Sequence, residues 1–264
     1  MKGTGLTSNY HAHTTRCLHA MGTEREYIEA AMAAGITEFG FSDHIPYPFK
    51  DGHISPIRMR MDEAEGYGQT IAALKEEYKG RINVYAGFEM EYFPEVFEEQ
   101  MEMVRRSGME YLILGQHFLG SELESPYLAR ATKQESLLIE YVDTVIAGAK
   151  TGVFTYVAHP DILLYVGEEE IYDKHMRRLC QALKEMNLPL EINLHGLNLG
   201  KNYPVKKFWK IAGEVGNEVI LGIDAHDLEL IGDKDVYNKA MSWVEEFDLN
   251  LIRKLQIDPS RLEA

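Results

Sequence analysis

Short apolar segments alternate along this chain with longer segments that have helical periodicity. Seven of the short segments are apolar or β-branched nearly throughout, which is typical of parallel strands covered on both faces. We predict these strands at Thr7–His11, Glu38–Ser42, Ile82–Phe88, Tyr111–Gln116, Phe154–Ala158, Leu190–Leu194 and Val219–Ile223. The segments between them repeat apolar residues every three or four positions, so each is predicted to form a helix with one buried face.

The ends of several helices are also marked in the sequence. Helices are predicted over 134–150 and 171–187. Four more are predicted from segments with one apolar face, and these faces include Tyr67, Phe97, Phe208 and Trp243, respectively. Two helices are expected to begin with a capping box and to stop at a glycine. The residues concerned are Thr23, Glu26 and Gly35 for the first, and Asp62, Glu65 and Gly80 for the second.

Strict alternation of strand and helix predicts a parallel sheet, either open and doubly wound or closed into a barrel. Polar residues of metal-ligand type follow nearly every predicted strand, and only a closed ring brings nearly all strand ends to one centre. We therefore predict a distorted seven-stranded (β/α)7 TIM-like barrel. With 264 residues and 45% hydrophobic composition, the chain is expected to be one domain over 1–264.

Charge and cysteine content narrow the function classes. A formal charge of −15 repels phosphate backbones, so no nucleic-acid partner is expected. No stretch approaches the roughly 20 apolar residues that span a bilayer, so no membrane partner is expected either. Cys17 and Cys180 are too far apart to indicate a disulfide framework, and we expect reduced thiols and a cytoplasmic location.

Nine residues carry the chemistry, and each lies at or just after the end of a predicted strand or in the loop that follows. They are His11, His13, His19, His44, Glu89, His117, His159, Asp224 and His226. Any one of them alone is better explained as a hydrogen-bonded polar residue. His11 and His13 taken as a pair fit metal binding and a pair of ordinary histidines about equally well. Taken together they include seven of the ten histidines, a distribution that chance would spread over helix faces as well.

The number of these residues predicts more than one metal ion. A transition-metal ion takes about four to six donors, some of them water. Glu89 can bridge two ions, so the set accommodates three. Imidazole with carboxylate suits Zn, Mn or Fe.

The motifs resemble those of the polymerase-and-histidinol-phosphatase (PHP) superfamily along essentially the whole chain. They are His11-Ala12-His13, Ser42–Pro46, Gly87-Phe88-Glu89, Gly115-Gln116-His117, Ala158–Asp161 and Ile223–His226. The resemblance is strongest to the histidinol-phosphatase branch, through Ser42–Pro46, Glu89–Pro94 and Leu190–Asn193. His195 departs from that branch, in which a small residue is expected, and this bears on the substrate more than on the chemistry.

The resemblance implies a trinuclear centre on a distorted seven-stranded barrel. The implied ligand sets are His11, His13, Glu89 and Asp224 for one ion, Glu89, His117 and His159 for a second, and His19, His44 and His226 for a third. It implies a phosphomonoesterase acting on a small phosphorylated substrate, plausibly L-histidinol phosphate in histidine biosynthesis. We hypothesise that a metal-bridging hydroxide attacks phosphorus while the ions neutralise the phosphoryl oxygens.

Further residues are assigned supporting roles. Asp43 is predicted to act in catalysis by orienting the water or a ligand histidine. Arg16 and Arg130 are candidates for phosphate binding, with Lys201 weaker, since arginine presents a planar fork to phosphate. Asn193 is a candidate substrate contact, and for Glu191 a structural role is at least as well supported.

Four alternatives stay open at the level of sequence. The chain could act on another small phosphoester within the same superfamily. It could be an amidohydrolase-type metal hydrolase, although that class normally needs eight units and a lone terminal Asp. A polymerase-associated nuclease is disfavoured by the acidic balance. A metal-binding module without turnover is disfavoured because the ligand set is intact, although burying these polar residues costs free energy.

Overall fold

Eight parallel strands form one sheet whose spatial order follows the chain, β1 to β8. This computed structural model describes residues 5–263, so positions 1–4 and 264 of the predicted domain lie outside the described residues. The strands are β1 (Ser8–Asn9), β2 (Glu38–His44), β3 (Asn83–Met90), β4 (Tyr111–Leu114), β5 (Phe154–Val157), β6 (Leu190–Asn193), β7 (Glu218–Gly222) and β8 (Asn250–Leu251).

The predicted parallel α/β architecture is confirmed, but the predicted count of seven strands is wrong. The eighth strand pairs Asn250 with Glu218 and Leu251 with Val219. A strand of two residues is too short to show a pattern in the sequence. The sheet also remains an open, curled half-barrel instead of the predicted closed ring, since no ladder among residues 5–263 joins β8 to β1.

One isolated bridge brings the two sides of the curled sheet together beyond the ends of β1 and β7. Ala12 pairs in parallel with Ala225. The His13 amide donates to the Ala225 carbonyl at 2.9 Å, and the Ala225 amide donates to the His11 carbonyl at 3.3 Å. The bridge therefore fixes the first and last groups of predicted ligands next to each other.

Helices connect successive strands, as the periodicity predicts. They are α1 (Glu24–Ala34), α2 (Ala64–Glu77), α3 (Phe97–Arg106), α4 (Glu135–Lys150), α5 (Glu169–Glu185), α6 (Leu194–Leu199), α7 (Lys206–Val215) and α8 (Lys234–Glu246). The predictions over 134–150 and 171–187 are confirmed by α4 and α5. The short helix α6 directly follows β6 and was not predicted.

The capping predictions have two outcomes. At α1, the capping box of Thr23 and Glu26 is confirmed, and Gly35 ends the helix with a left-handed φ of 86°. At α2, the prediction that Asp62 and Glu65 form the box is wrong. The Glu63 carboxylate instead accepts from the backbone N–H of Arg60 at 2.7 Å, because a 3-10 turn over Met61–Glu63 precedes the helix.

Large side chains fill the inside of the sheet below its carboxyl end. Tyr10, Tyr111 and Tyr156 are buried there with Ile113 and Ile220. The Tyr111 hydroxyl donates to the backbone carbonyl of Tyr10 at 2.8 Å. This packed interior confines any open site to the mouth of the half-barrel, as in closed barrels.

Two further findings concern the cysteines and the helices. Cys17 and Cys180 are both buried and unpaired, as expected. None of the helices within residues 5–263 is both long enough and apolar enough to cross a membrane.

Candidate metal centre

The nine predicted ligands lie together at the carboxyl ends of the strands. His11 and His13 follow β1, and His44 is the last residue of β2. The others stand near the ends of β3, β4, β5 and β7, or in the loop after β1: Glu89, His117, His159, Asp224, His226 and His19. Parallel strands place their carboxyl ends at one edge, which is why residues more than 200 positions apart meet here.

One oxygen of the buried Glu89 carboxylate faces the ligands from the first two strands. Its Oε2 lies 3.0 Å from His44 Nδ1, 3.5 Å from His11 Nε2 and 3.6 Å from His13 Nε2. Asp224 completes this side, with its Oδ1 at 3.0 Å from His13 Nε2 and 3.5 Å from His11 Nε2. These three nitrogens and two oxygens surround one small volume.

The other oxygen of Glu89 faces the opposite side of the cluster. Its Oε1 lies 2.7 Å from His159 Nε2 and 3.5 Å from His117 Nε2. A carboxylate that presents one oxygen to each of two imidazole groups has the arrangement expected of a bridging ligand.

A third group lies toward solvent. His19 Nε2 and His226 Nε2 are 3.0 Å apart. Together with a ring nitrogen of His44, they lie within 4.8 Å of one another. Two imidazole nitrogens can approach so closely only if one donates a hydrogen or if a cation lies between them.

Several buried polar atoms of the cluster make no hydrogen bond within the described part of the chain. They include His11 Nε2, His13 Nε2 and Glu89 Oε2, which face one another. Buried polar atoms are nearly always satisfied in native proteins, because leaving them unpaired costs free energy. Unpaired donors of metal-ligand type around a shared centre therefore fit divalent ions.

Other groups hold the far nitrogens of these imidazoles in place. The carboxylates of Glu191, Asp43 and Glu91 contact His11, His13 and His117 through Nδ1 at 2.8, 3.4 and 3.2 Å. Backbone carbonyls do the same for His19 and His226. Partners of this kind fix the tautomer and the ring orientation of metal ligands.

The backbone is strained at two of the predicted ligands. His159 has a φ of 30° and Asp224 a φ of 53°. Residues with side chains rarely adopt this left-handed region, and such strain tends to cluster at functional sites.

The close packing of carboxylates and imidazoles in the cluster shifts the pKa of several of them. Burial alone raises the pKa of the Glu89 carboxyl, but His117, His11 and His44 outweigh burial and hold the pKa well below its usual range. Burial and the neighbouring His13 lower the pKa of His44 to about 4. The carboxylate is therefore ionised and the His44 imidazole neutral near pH 7, which are the forms that bind metals.

A cavity of about 390 Å³ opens directly onto the cluster. Apart from the predicted ligands, its wall combines apolar and aromatic side chains with two polar ones. They are Ile57, Phe118, Tyr127, Tyr203, His195 and Lys201. The His195 ring lies near that of His226, with ring centroids 5.0 Å apart and the ring planes tilted by 36°.

The two arginines predicted to bind phosphate do not line this cavity. The guanidinium of Arg16 donates to Glu24 and to Thr70 Oγ1, the latter at 3.3 Å. Arg130 is exposed. Lys201, the weaker candidate, is the lysine at the cavity wall. The role of the two arginines stays a prediction.

Asp43 and Asn193 lie behind the predicted ligands, away from the cavity wall. Asp43 is fully buried and accepts from the backbone amides of Thr14 and His44, in addition to contacting His13. This placement favours orientation of a histidine over orientation of a water.

The side chain of Asn193 is hydrogen-bonded within the protein, and its role as a substrate contact stays a prediction. Its amide nitrogen donates to Asp224 Oδ2 at 3.0 Å and to Glu191 Oε2 at 3.1 Å. Its oxygen accepts from the Gly196 amide at the start of α6. All polar atoms of the Asn193 side chain are therefore hydrogen-bonded to other residues of the protein, and one of these bonds holds Asp224 in place.

Glu91 and Arg58 were not assigned any role from the sequence. Glu91 orients His117 and forms a buried ion pair with Arg58 at 2.6 Å. The spacing of Glu89 and Glu91 was the available signal, since side chains two apart on a strand point to the same side. No comparable signal identified Arg58, because it lies in a long loop.

Comparisons with known proteins agree with this geometry. The sequence model of the PHP domain matches residues 9–195. A probable histidinol-phosphatase of Deinococcus radiodurans is 28% identical, with 87% of this chain and 89% of that protein covered. A histidinol-phosphatase of Bacillus subtilis is 33% identical over 45% of this chain and 46% of that protein.

A solved structure shows the same fold. It is a histidinol phosphate phosphatase from Lactococcus lactis in complex with zinc, L-histidinol and phosphate, and the TM-score is 0.72. The match covers 95% of this chain and 99% of that one at 18% identity.

Proposed function

This chain belongs to the PHP domain family and is a metal-dependent phosphatase, and from that premise we propose that it hydrolyses L-histidinol phosphate to histidinol and phosphate at a trinuclear centre. The probable histidinol-phosphatase of Deinococcus radiodurans, whose name supports this activity, matches 87% of this chain. The observation that carries the proposal is the Glu89 carboxylate, which presents one oxygen to each of two imidazole groups.

The proposed ligand sets are those that the family resemblance implies, and proximity of side chains within each set supports them. One ion would be held by His11, His13, Glu89 and Asp224, a second by Glu89, His117 and His159, and a third by His19, His44 and His226. Divalent ions in these positions supply positive charge to the phosphoryl oxygens and lower the pKa of water. The remaining steps depend on residues of the chain.

Orientation of the ligands falls to residues behind them. Asp43 holds His13, and Asn193 holds Asp224 at 3.0 Å. Because these groups are buried and fully hydrogen-bonded, they keep the cluster in one geometry without rearrangement.

Substrate binding falls to the cavity wall. Lys201 is positioned to attract the phosphate from outside the metal cluster. Tyr127, Tyr203 and Phe118 provide aromatic faces that suit a flat imidazole ring. The cavity wall is therefore suited to bind a leaving alcohol such as histidinol.

The test is metal analysis of the purified protein combined with phosphate release. We expect turnover of L-histidinol phosphate with a kcat/KM above that for phosphoserine, phosphotyrosine and p-nitrophenyl phosphate, and no hydrolysis of cyclic amides. His117→Ala should lose both turnover and bound metal, whereas the exposed Glu218→Gln should keep both.

Two results would contradict the proposal. A fully metallated protein that is inert toward every phosphoester would indicate a binding module. Full activity of a metal-replete His117→Ala protein would exclude the ligand scheme.

A further inference from the structure

A buried arginine, Arg58, lies just behind the predicted metal cluster. Arg58 is only 2% exposed. Its Nη1 and Nη2 donate to the two oxygens of Glu91 at 2.7 and 2.6 Å. Glu91 Oε1 in turn lies 3.2 Å from His117 Nδ1. Arg58 is thus one residue removed from a predicted ligand.

The same guanidinium also reaches a second carboxylate. Arg58 Nε donates to Glu122 Oε2 at 3.3 Å. Glu122 further accepts from Ser55 Oγ at 3.0 Å and lies 3.0 Å from His53 Nε2. Glu122 therefore gathers three side chains of one long loop.

These residues come from the two longest connections at this end of the sheet. We call residues 45–61, between β2 and α2, the first connection, and residues 118–133, between β4 and α4, the second connection. Arg58, Ser55 and His53 belong to the first, and Glu122 to the second. The Arg58 guanidinium is therefore shared by both connections and the cluster.

Both connections also build the wall of the cavity. Ile57 comes from the first, next to Arg58, and Phe118 and Tyr127 come from the second. They pack in a small apolar cluster around Phe93 and Val96. The shape of the cavity therefore depends on both connections being ordered.

We infer that Arg58 is a positioning residue that couples the order of both connections to the orientation of His117. This inference rests on the proposed metal site. A planar guanidinium can satisfy Glu91 with two parallel bonds and Glu122 with a third. A lysine ammonium keeps the charge but cannot span all three acceptors in this geometry.

Coupling between two sites is reciprocal. Metal binding that fixes His117 fixes Glu91 and Arg58 as well, and therefore stabilises the two connections. Removal of metal should loosen both, although neither connection supplies a predicted ligand.

Hydrogen exchange on the full-length protein, with zinc and after chelation, tests this inference. In the unaltered protein, chelation should speed amide exchange in both connections. In Arg58→Lys, exchange there should be fast with or without zinc, and zinc affinity, measured by chelator competition, should fall about 10- to 100-fold. Arg60→Lys is the matched control, since Arg60 lies on the same connection but is exposed and pairs with Asp62.

A second variant separates the two halves of the network. Glu122→Ala leaves the pair of Arg58 and Glu91 in place, so zinc affinity should be retained while exchange in the second connection rises. This variant and the unaltered protein keep the inference testable even if Arg58→Lys does not fold.

The inference is overturned if chelation leaves exchange in both connections unchanged, or if Arg58→Lys behaves like Arg60→Lys. Failure of the proposed function is distinguishable from this. Zinc-dependent protection in a protein that does not hydrolyse histidinol phosphate would support the coupling. Full turnover without such protection would refute the coupling and leave the proposed function unaffected.

Discussion

Glu89 is the residue on which the two halves of the cluster depend, because each of its oxygens faces different imidazoles. In Glu89→Gln the charge is lost and one of the two positions becomes an N–H donor that repels a cation. We expect the protein to bind fewer ions and kcat to fall by at least about a hundredfold, since even groups that only orient ligands are worth 10- to 100-fold.

Metal content and steady-state kinetics check this prediction, with Glu218→Gln at the opposite end of β7 as control. Retention of all bound metal and normal turnover in Glu89→Gln would show that no ion is bridged there.

Substitution of Lys201 and substitution of Arg130 are expected to affect the KM for substrate differently. Lys201 lines the cavity, whereas Arg130 is not among the residues of the cavity wall. Loss of a charged hydrogen bond costs about 1.5–3 kcal/mol, so Lys201→Met should raise KM by about tenfold or more with bound metal unchanged. Arg130→Met should leave KM nearly as it is.

The measurement is KM and kcat for both variants under metal-saturating conditions. If KM rises in Arg130→Met and not in Lys201→Met, the role predicted from the sequence for the arginine is correct and the second connection must close over the substrate.

At the scale of single elements, glycines at strand ends make room for the carboxylates of neighbouring strands. A Cβ on Gly115, just after β4, would lie 2.0 Å from Glu89 Oε1. Gly115→Ala should therefore displace the Glu89 carboxylate, and we expect loss of bound metal and of most activity while the circular dichroism spectrum stays native.

Gly120→Ala is the control for this change, because its nearest neighbours lie 3.5 Å away in ordinary contact. Normal metal content in Gly115→Ala would mean that Glu89 has another position available.

The strands were predictable from the sequence because most are buried on both faces and read as continuous apolar runs. β4 and β5 lie within two residues of the predicted ends. β8 was missed because two residues carry no period. The ion pair of Arg58 was missed for a different reason: the path of a long connection is set by tertiary contacts that no local pattern records.

At the scale of the whole molecule, the predicted ligands were identifiable because barrel topology alone sends strand ends to one place. The prediction that Arg16 and Arg130 bind phosphate depended, in contrast, on where loop side chains point. Ion pairing of Arg16 with Glu24 and the exposure of Arg130 could not be read from position in the chain.

Stability of the metal-free protein should depend on pH through the buried histidines. Burial lowers the pKa of His13, but the neighbouring carboxylates of Asp224 and Asp43 outweigh burial and raise the pKa to about 9. The stabilisation is fully present below pH 6.5 and is lost as pH rises through about 9. It amounts to at most about 3 kcal/mol. The pKa of His11 and of His159 is raised as well, which acts in the same direction.

Denaturant unfolding of the chelated protein at pH 6.5 and 9.5 measures this loss. The zinc-loaded protein should not show it, since metal binding displaces the protons from these histidines. Equal stability of the chelated protein at both pH values would mean that His13 is neutral in the folded state.

The bridge between Ala12 and Ala225 has a consequence for biogenesis. It joins segments 213 positions apart, so His11 and His13 leave the ribosome long before their partner Asp224. If the proposed ligand set is correct, tight capture of the ion that these three residues share would follow synthesis of Asp224 and closure of the bridge.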